Sequence, residues 1–272
     1  MAEACVTYDT DGSIAVIALN RPEKLNAINA AVRAEAKEAF LRADEDDAVS
    51  VVVLRGEGRS FCVGYDIGAD EVGDDVSDQD ALQWQALLDE CLAFEMLPWH
   101  LSKPVVASVQ GHTLGGGCQF AMFCDLTISA DDCLFGEPES RFSEPGPVAV
   151  MPWLIGYKRA RELLYFGDLI DAKRALDIGM VNKVVPLDEL QDATMAYAKR
   201  LSLIGAETLS TMKRVLNRGA EAAGFDNAMH GSVEGYAPLY AIHTDIRREF
   251  EAITQKDGLR AALKWRKAQF DG

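Results

Sequence analysis

The chain has 272 residues, 49% of them hydrophobic and 26% charged, the make-up of a globular protein with one sizeable core and a smaller appendage. Its 43 acidic against 27 basic residues leave a net charge of −16, which repels phosphate backbones and argues against nucleic acid as a partner, while a local basic patch for a small phosphorylated ligand stays open. No apolar run approaches the roughly 20 residues of a membrane span, and the start Met-Ala-Glu-Ala-Cys-Val lacks a signal or transit pattern, so no membrane partner and a cytoplasmic location are expected.

In chain order, residues 5–8 and 14–19 flank "DTDGS" and read as a hairpin. A polar connection, "NRPEKLNAIN", leads to the Ala-rich "AAVRAEAKEAFLRA", a helix by composition. The β-branched run "VSVVVLRG" (49–56) predicts a strand buried on both faces. A helix over about 79–97 leads to a second such strand, 104–109, and a further helix to a third, 126–129. Strands alternating with helices imply a mostly parallel sheet in an α/β fold. After "VNKVVP" (181–186) the pattern is helical only, with breaks near 204–205, 223–224 and 257–258. This predicts a core over 1–200 and a helical C-terminal domain over 201–272, whose apolar stripe favours an oligomer.

Two glycine-rich loops leave the predicted strands: "GEGRSFCVGYDIG" (56–68) and "HTLGGGCQFAMFCD" (112–125). In an open α/β sheet such loops border the ligand cleft. Their glycines let backbone N–H groups approach a ligand, and the second set heads a helix whose N-terminus favours negative charge. One N–H donor per loop makes an oxyanion hole; plain tight turns are the alternative. Neither loop fits a dinucleotide fingerprint or a P-loop, and there is no Gly-x-Ser-x-Gly elbow. The six cysteines have no metal-ligand spacing and read as reduced core residues, so no metal is indicated.

"GRSFCVGYDI" (58–67), "KPVVASVQGHTLGGGCQFAMFCDLTISADDCLFGEPE" (103–139), "RARELLYFGDLIDAKRALDIGMVNKVVP" (159–186) and the closing "GLRAALKWRKAQF" (258–270) resemble the crotonase, or enoyl-CoA hydratase/isomerase, family over nearly the whole chain. The resemblance implies a spiral of repeated ββα units with a helical C-terminal trimerisation domain, assembled as a homo-trimer or hexamer. It implies an acyl-CoA thioester substrate, with coenzyme A as part of the substrate and no separate cofactor. An enolate oxygen would be held by the backbone N–H groups of Tyr65 and Gly116, without need of the Tyr65 side chain.

Hydratases of the family use two glutamates. Glu139 matches the one in "FGxPE", but the position after the glycine triplet holds Gln119, whose amide takes up no proton near neutral pH. Glu139 alone suits an isomerase-like proton shuttle; capping of the turn after Pro138 is its structural alternative. Glu137, where relatives commonly carry Gln, and Glu144 are candidates for the missing carboxylate, each otherwise a solvated loop charge. The resemblance places Lys24, Ala27, Cys62, Gly64, Asp66, Ile67, Leu114, Gly115 and Trp153 at the substrate. Lys24, Lys264, Arg266 and Lys267 are candidates for the CoA phosphates.

His112 reads as a structural histidine. Cys62 and Cys118 have no basic partner to make a thiolate. Asp66 reads as a loop brace, and Trp153 either lines the acyl pocket or packs on the core. The acidic stretch 69–80 reads as a mobile loop or lid. Enolate chemistry, hydrolysis on the same scaffold, and a non-catalytic thioester-binding relative are the three functional readings.

Overall fold

The computed structural model describes residues 4–66 and 79–270. The chain opens with strands β1 (Val6–Asp11) and β2 (Ile14–Leu19), paired antiparallel from Val6↔Leu19 to Asp11↔Ile14 around Gly12, whose φ of 61° suits the tight turn. Helix α1 (Ala30–Glu45) follows, capped by the Asn29 side chain on the Val32 N–H. Then come β3 (Val51–Gly56), α2 (Ala81–Glu95), the short α3 (Leu97–His100), β4 (Val105–Val109), β5 (His112–Leu114), α4 (Gly116–Met122), β6 (Leu126–Ala130) and β7 (Leu134–Gly136). The rest comprises α5 (Met151–Ile155), α6 (Tyr157–Phe166), β8 (Ile170–Asp171), α7 (Ala172–Asp177), β9 (Lys183–Val185), α8 (Leu190–Ser202), α9 (Ala206–Ala222), α10 (Phe225–Tyr240), α11 (Asp245–Asp257) and α12 (Leu259–Ala268).

One sheet runs β1-β2-β3-β4-β6-β9, parallel from β2 onward, as the β-branched runs predict; a second is β5-β7-β8. The alternation of β3 divides the core. Val52 and Leu54 pack with Ile17, Val32, Phe40 and Phe120 on one face, and Val51 and Val53 join Ile14, Val106, Leu190 and Leu209 on the other. Strands, turn and helix recur as β1-β2-α1 and β4-β5-α4, two turns of a ββα spiral. Between β4 and β5, Gly111 has φ 61°, and a Cβ there would stand 2.0 Å from the Arg59 carbonyl oxygen. Only glycine lets the chain cross from one sheet to the other so close to the first loop.

The second sheet and the break between α10 and α11 were not foreseen in the sequence. From Leu187 on, the described residues are helical, with breaks at the foreseen places. Helix α10 packs on α2, and Phe225, Met229, Val233 and Ala237 belong to the main core. Among the described residues, no helix is long and apolar enough to cross a membrane. The acidic stretch lies, up to residue 78, outside the described residues, as does Ile67.

Candidate active site

The two glycine loops run side by side. The Cys62 N–H donates to the His112 carbonyl at 3.1 Å and the Leu114 N–H to the Cys62 carbonyl at 2.9 Å. Gly64, at φ 92°, closes the approach: a Cβ there would lie 3.2 Å from the Leu114 oxygen and 3.3 Å from the Gly116 nitrogen. The Ile28 N–H donates to Gly64 and the Asp66 N–H to Ile28, so this bridge flanks Tyr65 without using its N–H. Gly115, at φ 53°, donates its N–H to Gly136 at 2.9 Å, and Gly116 begins α4. Among the described residues, no acceptor takes the N–H of Tyr65 or Gly116.

Strand β7 delivers Glu137 and Glu139 to the same place. A Cβ on Gly115 would stand 1.6 Å from Glu139 Oε1, so the absence of a side chain makes the space this carboxyl occupies. Burial pushes the Glu139 carboxyl up to about 7. No side chain caps the start of the turn over Pro138–Phe142, and the Glu139 carboxyl takes its own backbone N–H. Glu137 is 1% exposed, which corrects its reading as a solvated loop charge. Burial first, then the neighbouring Glu139, raises Glu137 well above the usual carboxylate range.

Gln119, itself buried, donates Nε2 to Glu137 Oε2 at 2.7 Å and to the Val148 carbonyl at 3.3 Å. Both neighbours present acceptors, which fixes the amide nitrogen toward them. Gln119 Oε1, Glu137 Oε1 and Glu139 Oε2 are buried without partners. Unpaired buried oxygens cost about 1–3 kcal/mol each, so their concentration here marks a place reserved for a ligand.

Glu144, its side chain 34% exposed, is a loop charge paired with Arg247 at 3.1 Å. Arg247 also holds Glu251 and the Tyr240 carbonyl, while the Tyr240 hydroxyl donates to the Pro145 carbonyl at 2.9 Å. The loop from Ser143 to Val150 is thus tied to α10 and α11.

Sequence reasoning missed Glu95. It ends α2 on the buried stripe Leu88, Cys91, Leu92 and Glu95, a spacing legible as one helix face. The Tyr65 hydroxyl donates to Glu95 Oε1 at 2.8 Å, and a Cβ on Gly116 would lie 2.5 Å from Tyr65 Cε2 and 3.1 Å from Glu95 Oε1. The Tyr65 side chain therefore takes part in shaping the site.

The remaining candidates divide. Cys62 is buried, donates Sγ to the Asn26 carbonyl at 3.1 Å, and is pushed up to about 12 by burial, hence a thiol. Cys118 is raised likewise. Asp66 pairs with Arg21 at 3.2 Å, and Arg21 also donates to the Ala27 carbonyl at 2.7 Å. Lys24 is exposed in a short turn over Pro22–Lys24. Trp153 packs edge-on against Phe225 of α10, with centroids 5.2 Å apart. His112 is exposed and its backbone N–H donates to Ser60 Oγ at 3.3 Å. Arg266 donates to the Arg141 carbonyl, which seats α12 beside the turn that carries Glu139.

The enoyl-CoA hydratase/isomerase family model matches residues 9–235. A crotonyl-CoA hydratase of Syntrophomonas wolfei subsp. wolfei is 32% identical over 274 residues, covering 99% of both chains. The crystal structure of an enoyl-CoA hydratase/isomerase from Xanthobacter autotrophicus Py2 has a TM-score of 0.93 at 34% identity, covering 98% of this chain and 99% of that one. An enoyl-CoA hydratase from Mycobacterium smegmatis has 0.89 at 25% identity over 97% and 94%. With its mixed α/β spiral and helical C-terminal region, the chain belongs to the crotonase, or enoyl-CoA hydratase/isomerase, family of acyl-CoA-processing enzymes.

Proposed function

We propose that the protein catalyses reversible hydration of a 2-enoyl-CoA thioester, with Glu137 taking the place of the glutamate missing at position 119. The observation that carries this is the buried Gln119–Glu137 hydrogen bond of 2.7 Å. Amide and carboxyl have exchanged positions relative to the family pattern, and the site retains two carboxyls and one amide. The 32% identical relative named as a crotonyl-CoA hydratase supports the same reading.

The thioester oxygen sits between the N–H groups of Tyr65 and Gly116. As charge develops on it, each donor contributes about 3 kcal/mol of transition-state stabilisation. Glu139, which titrates at about 7, accepts a proton from water as the water oxygen bonds to C3. Glu137, raised by burial and by the neighbouring Glu139, serves as the acid. Since Oε2 accepts from Gln119, its proton sits on the unpartnered Oε1 and passes to C2 as the enolate collapses. Atoms balance: one water adds across the double bond, and Glu139 returns the proton gained to Glu137 through solvent. Exposed apolar residues of α9, Met212, Val215 and Leu216, fit contact between copies in a trimer or hexamer.

The test is mass spectrometry of saturated, 2-enoyl- and 3-enoyl-CoA thioesters incubated with the protein in heavy water. Water addition to the 2-enoyl thioester is expected. Double-bond migration without water addition would instead favour an isomerase using Glu139 alone, and an inert panel would overturn the proposal.

A further inference from the structure

Glu95 is more than a partner for Tyr65. It is fully buried, Oε1 accepts the Tyr65 hydroxyl at 2.8 Å, and Oε2 has no partner. Among the described residues no lysine or arginine pairs with it; its titratable neighbours are Tyr65, Glu137, Glu139, Tyr240, Cys91 and Cys62. Holding Tyr65 needs one acceptor, which an uncharged amide supplies as well. A carboxyl with a second, unused oxygen is an expensive group to bury unless that oxygen meets a ligand.

We infer that Glu95 is a specificity-determining residue whose Oε2 donates a hydrogen bond to an oxygen on the acyl chain, so that the preferred acyl-CoA bears an oxo or hydroxyl group besides its thioester carbonyl. With no cation paired to it, burial favours the protonated form of the carboxyl. Oε1 is engaged by the Tyr65 hydroxyl, which also lies 3.4 Å from the Cys91 carbonyl, so the unpartnered Oε2 is the carboxyl oxygen left to present a proton to an acceptor. Glu95 Oε1 stands 3.1 Å from the position of a Cβ on Gly116, whose N–H is the proposed oxyanion donor. The substituent therefore lies on the part of the acyl chain close to the thioester. A plain hydrocarbon chain at this point leaves a buried donor unsatisfied, the situation in which polar sites discriminate most strongly. This inference rests on the proposed thioester site but not on the proposed reaction.

The test is calorimetric binding of four unreactive probes: hexanoyl-CoA and its 3-oxo, 4-oxo and 5-oxo derivatives. At least one oxo thioester is expected to bind about tenfold or more tightly than the parent, one well-formed hydrogen bond's worth. Glu95→Leu should erase that preference. Glu95→Gln, which keeps an acceptor for Tyr65 and presents an N–H, should retain part of it. Equal affinities in the wild type, or a uniform loss across all four probes in both variants, would overturn the inference and leave Glu95 as a brace for Tyr65. A preference here together with no water addition to the 2-enoyl thioester in heavy water would overturn the proposed reaction alone. No binding of any probe would overturn both.

Discussion

At the scale of single residues, the proposed proton transfer falls on Glu139. Glu139→Gln should lower kcat about 100- to 10,000-fold, the usual range for losing a general base. In the wild type, kcat/KM should rise as pH passes through about 7, where this carboxyl loses its proton. Steady-state hydration assays across pH check both, and a profile flat through pH 7 would contradict the assignment. Glu139 was legible because its motif is local and sits next to a proline. Glu137 was legible as a candidate carboxylate but not as a buried one, because its burial depends on a contact with Gln119 of α4, a segment distant in sequence. Glu95 was overlooked although its spacing from Leu88 and Cys91 places it on the buried face of α2. A charged residue on an apolar stripe is itself the signal.

At the scale of elements, the glycine triplet does two jobs at adjacent positions. Gly116 leaves room for the Tyr65 ring and Glu95, while Gly115 takes φ 53° and leaves room for Glu139. Gly115→Ala puts a methyl 1.6 Å from Glu139 Oε1 in a backbone region costly for alanine. A loss of about 1–3 kcal/mol in stability is expected from the backbone alone. Activity should fall further, because the proposed acid–base carboxyl must move; urea unfolding and hydration assays separate the two. The longer strands and helices were legible from periodicity. Strands β5, β7 and β8, of three, three and two residues, were not. Such short segments show no period, and only their pairing in the second sheet defines them.

At the scale of the whole molecule, the C-terminal helices are tied to the core by a buried lysine. Lys213 of α9 donates to the Pro98 carbonyl at 2.6 Å, the Lys103 carbonyl at 3.0 Å and Asp125 at 2.7 Å. Lys213→Met leaves these acceptors unmatched and should cost about 3 kcal/mol in urea unfolding. The buried carboxyls also set a pH dependence. Glu95, Glu137 and Glu139 are all raised, so between the unfolded carboxyl range near 4.5 and pH 7 the native state holds more protons than the unfolded one. Their contribution to stability is therefore complete at the acid end of this window; that of Glu139 is lost as pH rises through about 7, and those of Glu95 and Glu137 fall in the same direction. Tm should fall over that window, less steeply in Glu139→Gln, with a slope unchanged by that substitution as the contrary result. The central claim, that amide and carboxyl have exchanged places without loss of function, is tested most directly by the hydration rate of crotonyl-CoA in three proteins: wild type, Glu137→Gln, and the double variant Gln119→Glu with Glu137→Gln. The account predicts a fall of about 100-fold or more in the single variant and recovery to within about tenfold of wild type in the double variant. A single variant as active as wild type would contradict it.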